Sequence, residues 1–153
     1  MPRCLIVGYG NPIRSDDGFG YKAAAALDQE ISSPDVKVVV AQQLTPELAE
    51  FVAQSARVLF LDASHEGRPG EIRMATIRRD PESRPSAVSH GLTPAALLEL
   101  CYRYYGAEPE AVLYTVTGEN FSLGENFSPA LQNAWKACLE RVLEWVRSLE
   151  SGR

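Results

Sequence analysis

Hydrophobic periodicity along the chain switches repeatedly between strand-like and helix-like spacing. "CLIVG" (4–8) is continuously apolar, the form of a short strand covered on both faces. Phe19, Ala23, Ala26, Leu27 and Ile31 then recur at helical spacing, so residues 16–31 are expected to form a helix that Ser15 or Asp16 caps. "DVKVVVA" (35–41) and "RVLFLDA" (57–63) are β-branched or apolar runs and predict two more strands. Between them, "LTPELAEFVAQ" (44–54) predicts a helix with Thr45 as N-cap and Pro46 at its first position.

After the turn residues "EGRPG" (66–70), "EIRMATI" (71–77) alternates and predicts a more exposed strand. Residues 78–89, "RRDPESRPSAVS", have no period and are expected to form a mobile loop. A second Thr-Pro entry opens a helix over 93–105, and "AVLYTVT" (111–117) predicts the last strand. From residue 128 to 149, Leu131, Trp135, Cys138, Val142, Trp145 and Leu149 form the apolar stripe of a long amphipathic helix, with both tryptophans turned to the core. Strand–helix alternation predicts an α/β three-layer sandwich. Its twisted, mostly parallel sheet has about five strands, one of them antiparallel, and helices on both faces. The whole chain, 1–153, is expected to be a single domain.

Composition narrows the function. The net charge of −5 argues against a nucleic-acid surface. No run approaches the roughly 20 apolar residues of a membrane span, and the first apolar run is too short for a signal-peptide core. A cytoplasmic protein is expected. Cys4, Cys101 and Cys138 are far apart, odd in number and without a C-x-x-C pair, so they read as reduced core residues.

In an α/β sheet, ligands gather beyond the carboxyl ends of the strands. After the first strand comes "GYGNPIRSDDGFG" (8–20). It starts like a dinucleotide loop, but Ile13 stands where the third glycine belongs, no G-K-[ST] follows, and two aspartates would repel a pyrophosphate. Asp16 or Asp17 can cap the helix while its neighbour projects into the crevice. Asp62, at the end of the third strand, is either a solvent-facing strand end or a site residue. His65 and His90 both lie near strand ends. Two carboxylates and one imidazole from three loops make an O/O/N set suited to Zn²⁺ or Ni²⁺, with positions left open. Asn11 either fixes the turn through its own backbone or orients a substrate backbone. Ser15, Ser64 and Ser89 lie near these ends, but no Ser-His-acid pattern stands out, and H-E-x-x-H is absent.

The constellation resembles the [NiFe]-hydrogenase maturation proteases. "GYGNPIRSDDGFG" is similar to their opening G-x-G-N…D-[DE]-x-x-G motif, "LFLDAS" to their strand ending in an acid, "VSHGLTPAALL" to their S-x-H segment before a helix, and "TVTGENFSLGENFSP" to their last strand and helix entry. The motifs come in family order and span essentially the whole chain. The resemblance implies a cytoplasmic endopeptidase, aspartyl-type or metal-dependent, that removes the C-terminal extension of a hydrogenase large-subunit precursor after nickel insertion. It places Asp17, Asp62 and His90 as metal-contacting and catalytic residues, with Asn11 and Asp16 beside the substrate. It also implies nickel carried by the substrate, a site that zinc or cadmium can take in vitro, no organic cofactor and a monomer. His90 is preferred to His65, which is expected to be a solvated loop residue.

Two segments depart from the family pattern. Gln42 and Gln43 stand where glycines are common, and Thr117-Gly118-Glu119-Asn120 replaces a Pro-Glu segment. Both bear on which hydrogenase is served. Two other readings use the same residues: a nickel-dependent binding chaperone without cleavage, and a small-molecule hydrolase or nucleotide-binding α/β protein.

Overall fold

The computed structural model describes residues 3–83 and 91–151. Among these, five strands form one sheet: β1 (Cys4–Tyr9), β2 (Val36–Ala41), β3 (Arg57–Ser64), β4 (Ile72–Ile77) and β5 (Glu110–Thr117). Their order is β2-β1-β3-β5-β4, and all neighbours are parallel except β4 and β5. The antiparallel strand is the exposed one, as its alternating sequence predicts.

Four helices cover the sheet: α1 (Phe19–Glu30), α2 (Leu48–Ala53), α3 (Pro94–Tyr105) and α4 (Pro129–Ser151). Strand alternation sorts the apolar residues into two layers. Cys4, Ile6, Leu59 and Leu61 pack with Phe19 and Leu27 of α1 and with Leu131, Cys138 and Val142 of α4. Leu5, Val7, Val58 and Phe60 pack on the opposite face with Val52 of α2 and with Leu97 and Cys101 of α3. Each fully buried Phe or Leu of these layers contributes about 1.5–3 kcal/mol of apolar burial. The three cysteines are buried and free within these layers.

Two boundary expectations need correction. The first helix does not begin at Asp16. A 3-10 turn (Ser15–Gly18) precedes α1, and no side chain caps either element. The reason is that Ser15 and Asp16 turn their side chains toward residues 119–128 instead. The second helix is only six residues long. The Thr45 carbonyl accepts from the Leu48 amide and the Pro46 carbonyl from the Ala49 amide, so the Thr-Pro entry is spent on tight turns before the helix starts. The tryptophans pack against the core but are only half-buried: Trp135 meets Phe19 edge-on at 5.9 Å, and Trp145 lies near the end of the stripe.

The third helix follows its sequence closely. The Thr93 hydroxyl accepts from the Ala96 amide, Pro94 takes the first turn, and Gly106 closes it at φ 67°. The expected mobile loop is described only as far as residue 83; its remainder, with His90, lies outside the described residues. Among the described residues no helix is long and apolar enough to cross a membrane.

Candidate functional site

Strand order reverses between β1 and β3, because β2 lies on the far side of β1. A crevice at such a switch point is the expected ligand site of an open α/β sheet. Gly8 pairs in register with Leu61, the last pair of β1 and β3, so the next residues, Tyr9 and Asp62, stand side by side where that pairing ends; β3 itself continues to Ser64. Asp62 is half-buried there.

The loop that leaves β1 is shaped by close backbone approach. A Cβ on Gly8 would lie 2.0 Å from the Gly20 carbonyl oxygen, and one on Gly20 would lie 2.2 Å from that of Leu61. Gly10, at φ 148°, passes so near that a Cβ would meet the Asp17 carbonyl oxygen at 2.1 Å. These glycines press the loop against the start of α1, which brings the acids of the 3-10 turn to the strand ends.

The two adjacent aspartates do different work. Asp16 is fully buried. Its carboxylate accepts from the Glu119 amide (2.8 Å), the Asn120 amide (3.1 Å), the Ser128 amide (2.8 Å) and the Ser128 hydroxyl (2.6 Å). Burial pushes its carboxyl up, but these hydrogen bonds outweigh burial and hold it below the ordinary carboxylate value. Asp16 is thus neither a helix cap nor open to solvent. It clamps the segment between β5 and α4.

Asp17 instead accepts the Asn11 amide on Oδ2 at 3.0 Å, and its charge reaches Asp62. Burial raises the Asp62 carboxyl to about 7, and the Asp17 charge adds to that rise; the nearby Tyr9 hydroxyl and the hydrogen bond from the Ala63 amide (2.8 Å) oppose it. Two neighbouring carboxylates, one of which resists ionising alone, are a pair that a cation would relieve.

Other candidates fall into place around this pair. The Asn11 Oδ1 accepts from the Ile13 amide at 3.0 Å, so its side chain fixes the turn. The Ser15 hydroxyl donates to the Ser122 carbonyl at 2.8 Å, and that of Ser64 to the Glu66 carbonyl at 3.2 Å. His65 is exposed and stacks on Phe121 with ring centroids 3.8 Å apart. Gly91 packs against Gln43, and the Leu92 amide donates to the Leu44 carbonyl. The chain therefore re-enters the described structure at the carboxyl end of the sheet, beside the segment after β2. Among the described residues no group of three His, Cys, Asp or Glu side chains is set to hold a metal. Asp17 and Asp62 supply two carboxylates, and the third expected ligand, His90, is among the residues left undescribed.

Sequence reasoning missed Tyr9, Phe121 and the Asp16–Ser128 clamp. Tyr9 carried a signal, a large polar-tipped residue between two glycines at a strand end. The clamp links residues 112 positions apart, which no local pattern reveals.

No protein-family model matches the sequence, and no curated protein matches it significantly. Solved structures do. A [NiFe] hydrogenase maturation protease HycI from Thermococcus kodakarensis KOD1 is 28% identical with a TM-score of 0.72, over 93% of this chain and 90% of its own. The hydrogenase maturating endopeptidase HybD from E. coli is 26% identical with a TM-score of 0.77, over 98% of this chain and 94% of its own. A hydrogenase 2 maturation peptidase from Thaumarchaeota archaeon SCGC_AB-539-E09, at 24% identity and TM-score 0.71 over 94% of this chain and 97% of its own, shares the fold.

Proposed function

We propose that this chain, a structural relative of the hydrogenase maturation proteases, is itself an endopeptidase, and that it removes the C-terminal extension of a [NiFe]-hydrogenase large-subunit precursor after nickel insertion. The observation that carries the reading is the neighbouring pair Asp17 and Asp62 at the switch point between β1 and β3. One of these acids is held where its charged form is costly without a cation. An ordinary surface pair would be open to water and would need no partner.

In this proposal the precursor's cysteine thiolates hold its nickel, and Asp17, Asp62 and His90 take up that ion as part of the substrate. A precursor without nickel is then seated poorly and escapes cleavage. The chain's own contribution is to hold two acids in fixed places before substrate arrives. Asn11 fixes the turn and, through its amide, Asp17. Asp16 holds residues 119–128 in place at the same end of the sheet. The exposed Ile13 and Leu123 flank the two segments that pair there, and they offer apolar contact to an extended peptide. The protein acts in the cytoplasm as a monomer.

The test is incubation of the purified protein with a hydrogenase large-subunit precursor, loaded or not loaded with nickel, followed by intact-mass measurement. Loss of the C-terminal extension from the loaded precursor alone is expected. Binding of the loaded precursor without mass loss would replace the reading with that of a nickel-dependent chaperone.

A further inference from the structure

The segment between β5 and α4 is fastened almost residue by residue to the turn that carries the two aspartates and to its neighbours. The Glu119 and Asn120 amides donate to Asp16, and the Asn120 carbonyl accepts from the Asp16 amide at 2.9 Å. The Phe121 ring stacks on His65, and the Ser122 carbonyl accepts from the Ser15 hydroxyl. The Gly124 amide donates to the Ile13 carbonyl at 2.9 Å, and its carbonyl accepts from the Ser15 amide at 2.8 Å. The Glu125 carbonyl accepts from Lys22 Nζ.

Leu123 is the exception. Its side chain is 72% exposed, although the residues on either side of it are held. Its main-chain N–H and C=O meet no protein partner among the described residues. A lone exposed leucine on a free loop needs no explanation. Here it stands on a braced segment, beside its own unpaired donor and acceptor, with Ile13 half exposed across the Arg14–Gly124 bridge. An extended peptide adds to unpaired main-chain groups of this kind, and the neighbouring side chains then select among sequences. The bracing is in place beforehand, so little ordering entropy is lost when a peptide arrives. Asp17 follows Ile13 by four residues on the same turn, so a peptide laid along Leu123 lies beside the turn that carries it.

We infer that Leu123 is a specificity-determining residue, whose exposed side chain, with Ile13, selects an apolar residue in an extended stretch of the precursor that pairs along its open main chain. This rests on the reading of the chain as a precursor-processing endopeptidase.

The experiment compares wild type, Leu123→Ser and Leu123→Met on nickel-loaded precursor, with kcat and KM taken from the rate of mass loss, and melts each protein alone. All three should melt alike, because the side chain is exposed. Leu123→Ser should raise KM about tenfold and leave kcat near wild type, the pattern of a lost binding contact. Leu123→Met keeps an apolar side chain of similar volume and should stay within about twofold of wild type. The mass of the released fragment identifies the cleaved bond. Serine in place of the apolar precursor residue that Leu123 meets near that bond should raise KM for wild type and add little for Leu123→Ser. Unchanged KM in Leu123→Ser, with wild type cleaving, overturns the inference and leaves the proposed function standing. No mass loss with wild type overturns both. A lowered melt for Leu123→Ser, or a fall in its kcat alone, also overturns the inference, because the side chain would then hold the loop rather than the peptide.

Discussion

Replacing Asp62 with asparagine should make the metal-free protein more stable, increasingly so as pH rises above about 4. Burial and the Asp17 charge raise the Asp62 carboxyl from 3.8 to about 7. Between these values the folded chain keeps a proton that the unfolded chain has released. Stability therefore falls as pH rises from about 4 to 7 and levels off above. At 1.36 kcal/mol per pH unit, a gap of about three units sets a ceiling of about 4 kcal/mol. Asp62 is only half-buried, and solvent relaxation around it reduces the cost to about 1–3 kcal/mol. For a chain of this length, 2 kcal/mol moves the melting temperature by about 4–8 °C.

Asparagine is nearly isosteric with the protonated acid. At pH 4 the two proteins should have similar stability; at pH 8 Asp62→Asn should be the more stable by that margin. Urea unfolding in chelator at both pH values measures this, and the difference between the proteins removes the titrations they share. Added Ni²⁺ should reverse the order at pH 8, because only the wild type gains binding energy, about 2.7 kcal/mol at a hundred times the dissociation constant. A stability difference that is the same at pH 4 and pH 8 refutes the reasoning: Asp62 would then ionise freely and store nothing for a cation to release.

Asp16→Ala removes the acceptor of four donors inside the protein and should cost about 3 kcal/mol or more in urea unfolding. Gly8→Ala drives a Cβ into the Gly20 carbonyl oxygen 2.0 Å away and should cost about 1–3 kcal/mol, read as a lowered melting temperature. Asp17→Asn should melt like wild type yet fail to process nickel-loaded precursor in the mass assay. In the same assay His90→Ala should abolish nickel-dependent cleavage and His65→Ala should change it little; the opposite pattern would move the site to the Asp62–His65 strand end.

Which parts were legible in the sequence follows from the range of the interactions involved. Strands β1, β3 and β5 are buried on both faces, so continuous apolar runs announce them. The Thr93-Pro94 entry and Gly106 mark α3 because capping is local. The same Thr-Pro signal misled at α2, where a buried Leu44 and the turns at Thr45 and Pro46 delay the helix. The acids at the strand ends could be found, since topology sends ligands there. Their partners could not. Ser128 reads as an ordinary helix-entry serine, and its Oγ does accept from the Leu131 amide at 3.4 Å. That it also donates to Asp16 depends on the full path of the chain through the sheet.

Why two aspartates stand together follows from the turn that carries them. A 3-10 turn has three residues per turn, so neighbouring side chains diverge by about 120°. Ser15, at φ 52°, sets the direction in which the turn begins. Asp16 then points inward, where backbone amides of residues 119–128 stabilise its charge, and Asp17 points to the neighbourhood of Asp62. In a regular helix starting at Asp16, the first acid would spend its oxygens on the helix's own amides. The clamp on residues 119–128 would then be missing. The 3-10 turn separates a buried, structural carboxylate (Asp16) from one beside Asp62 (Asp17) within two residues. It accounts for acids in a loop that otherwise has the backbone of a phosphate cradle: one of them fastens the loop, and the other is the one that, in the proposed function, meets a cation.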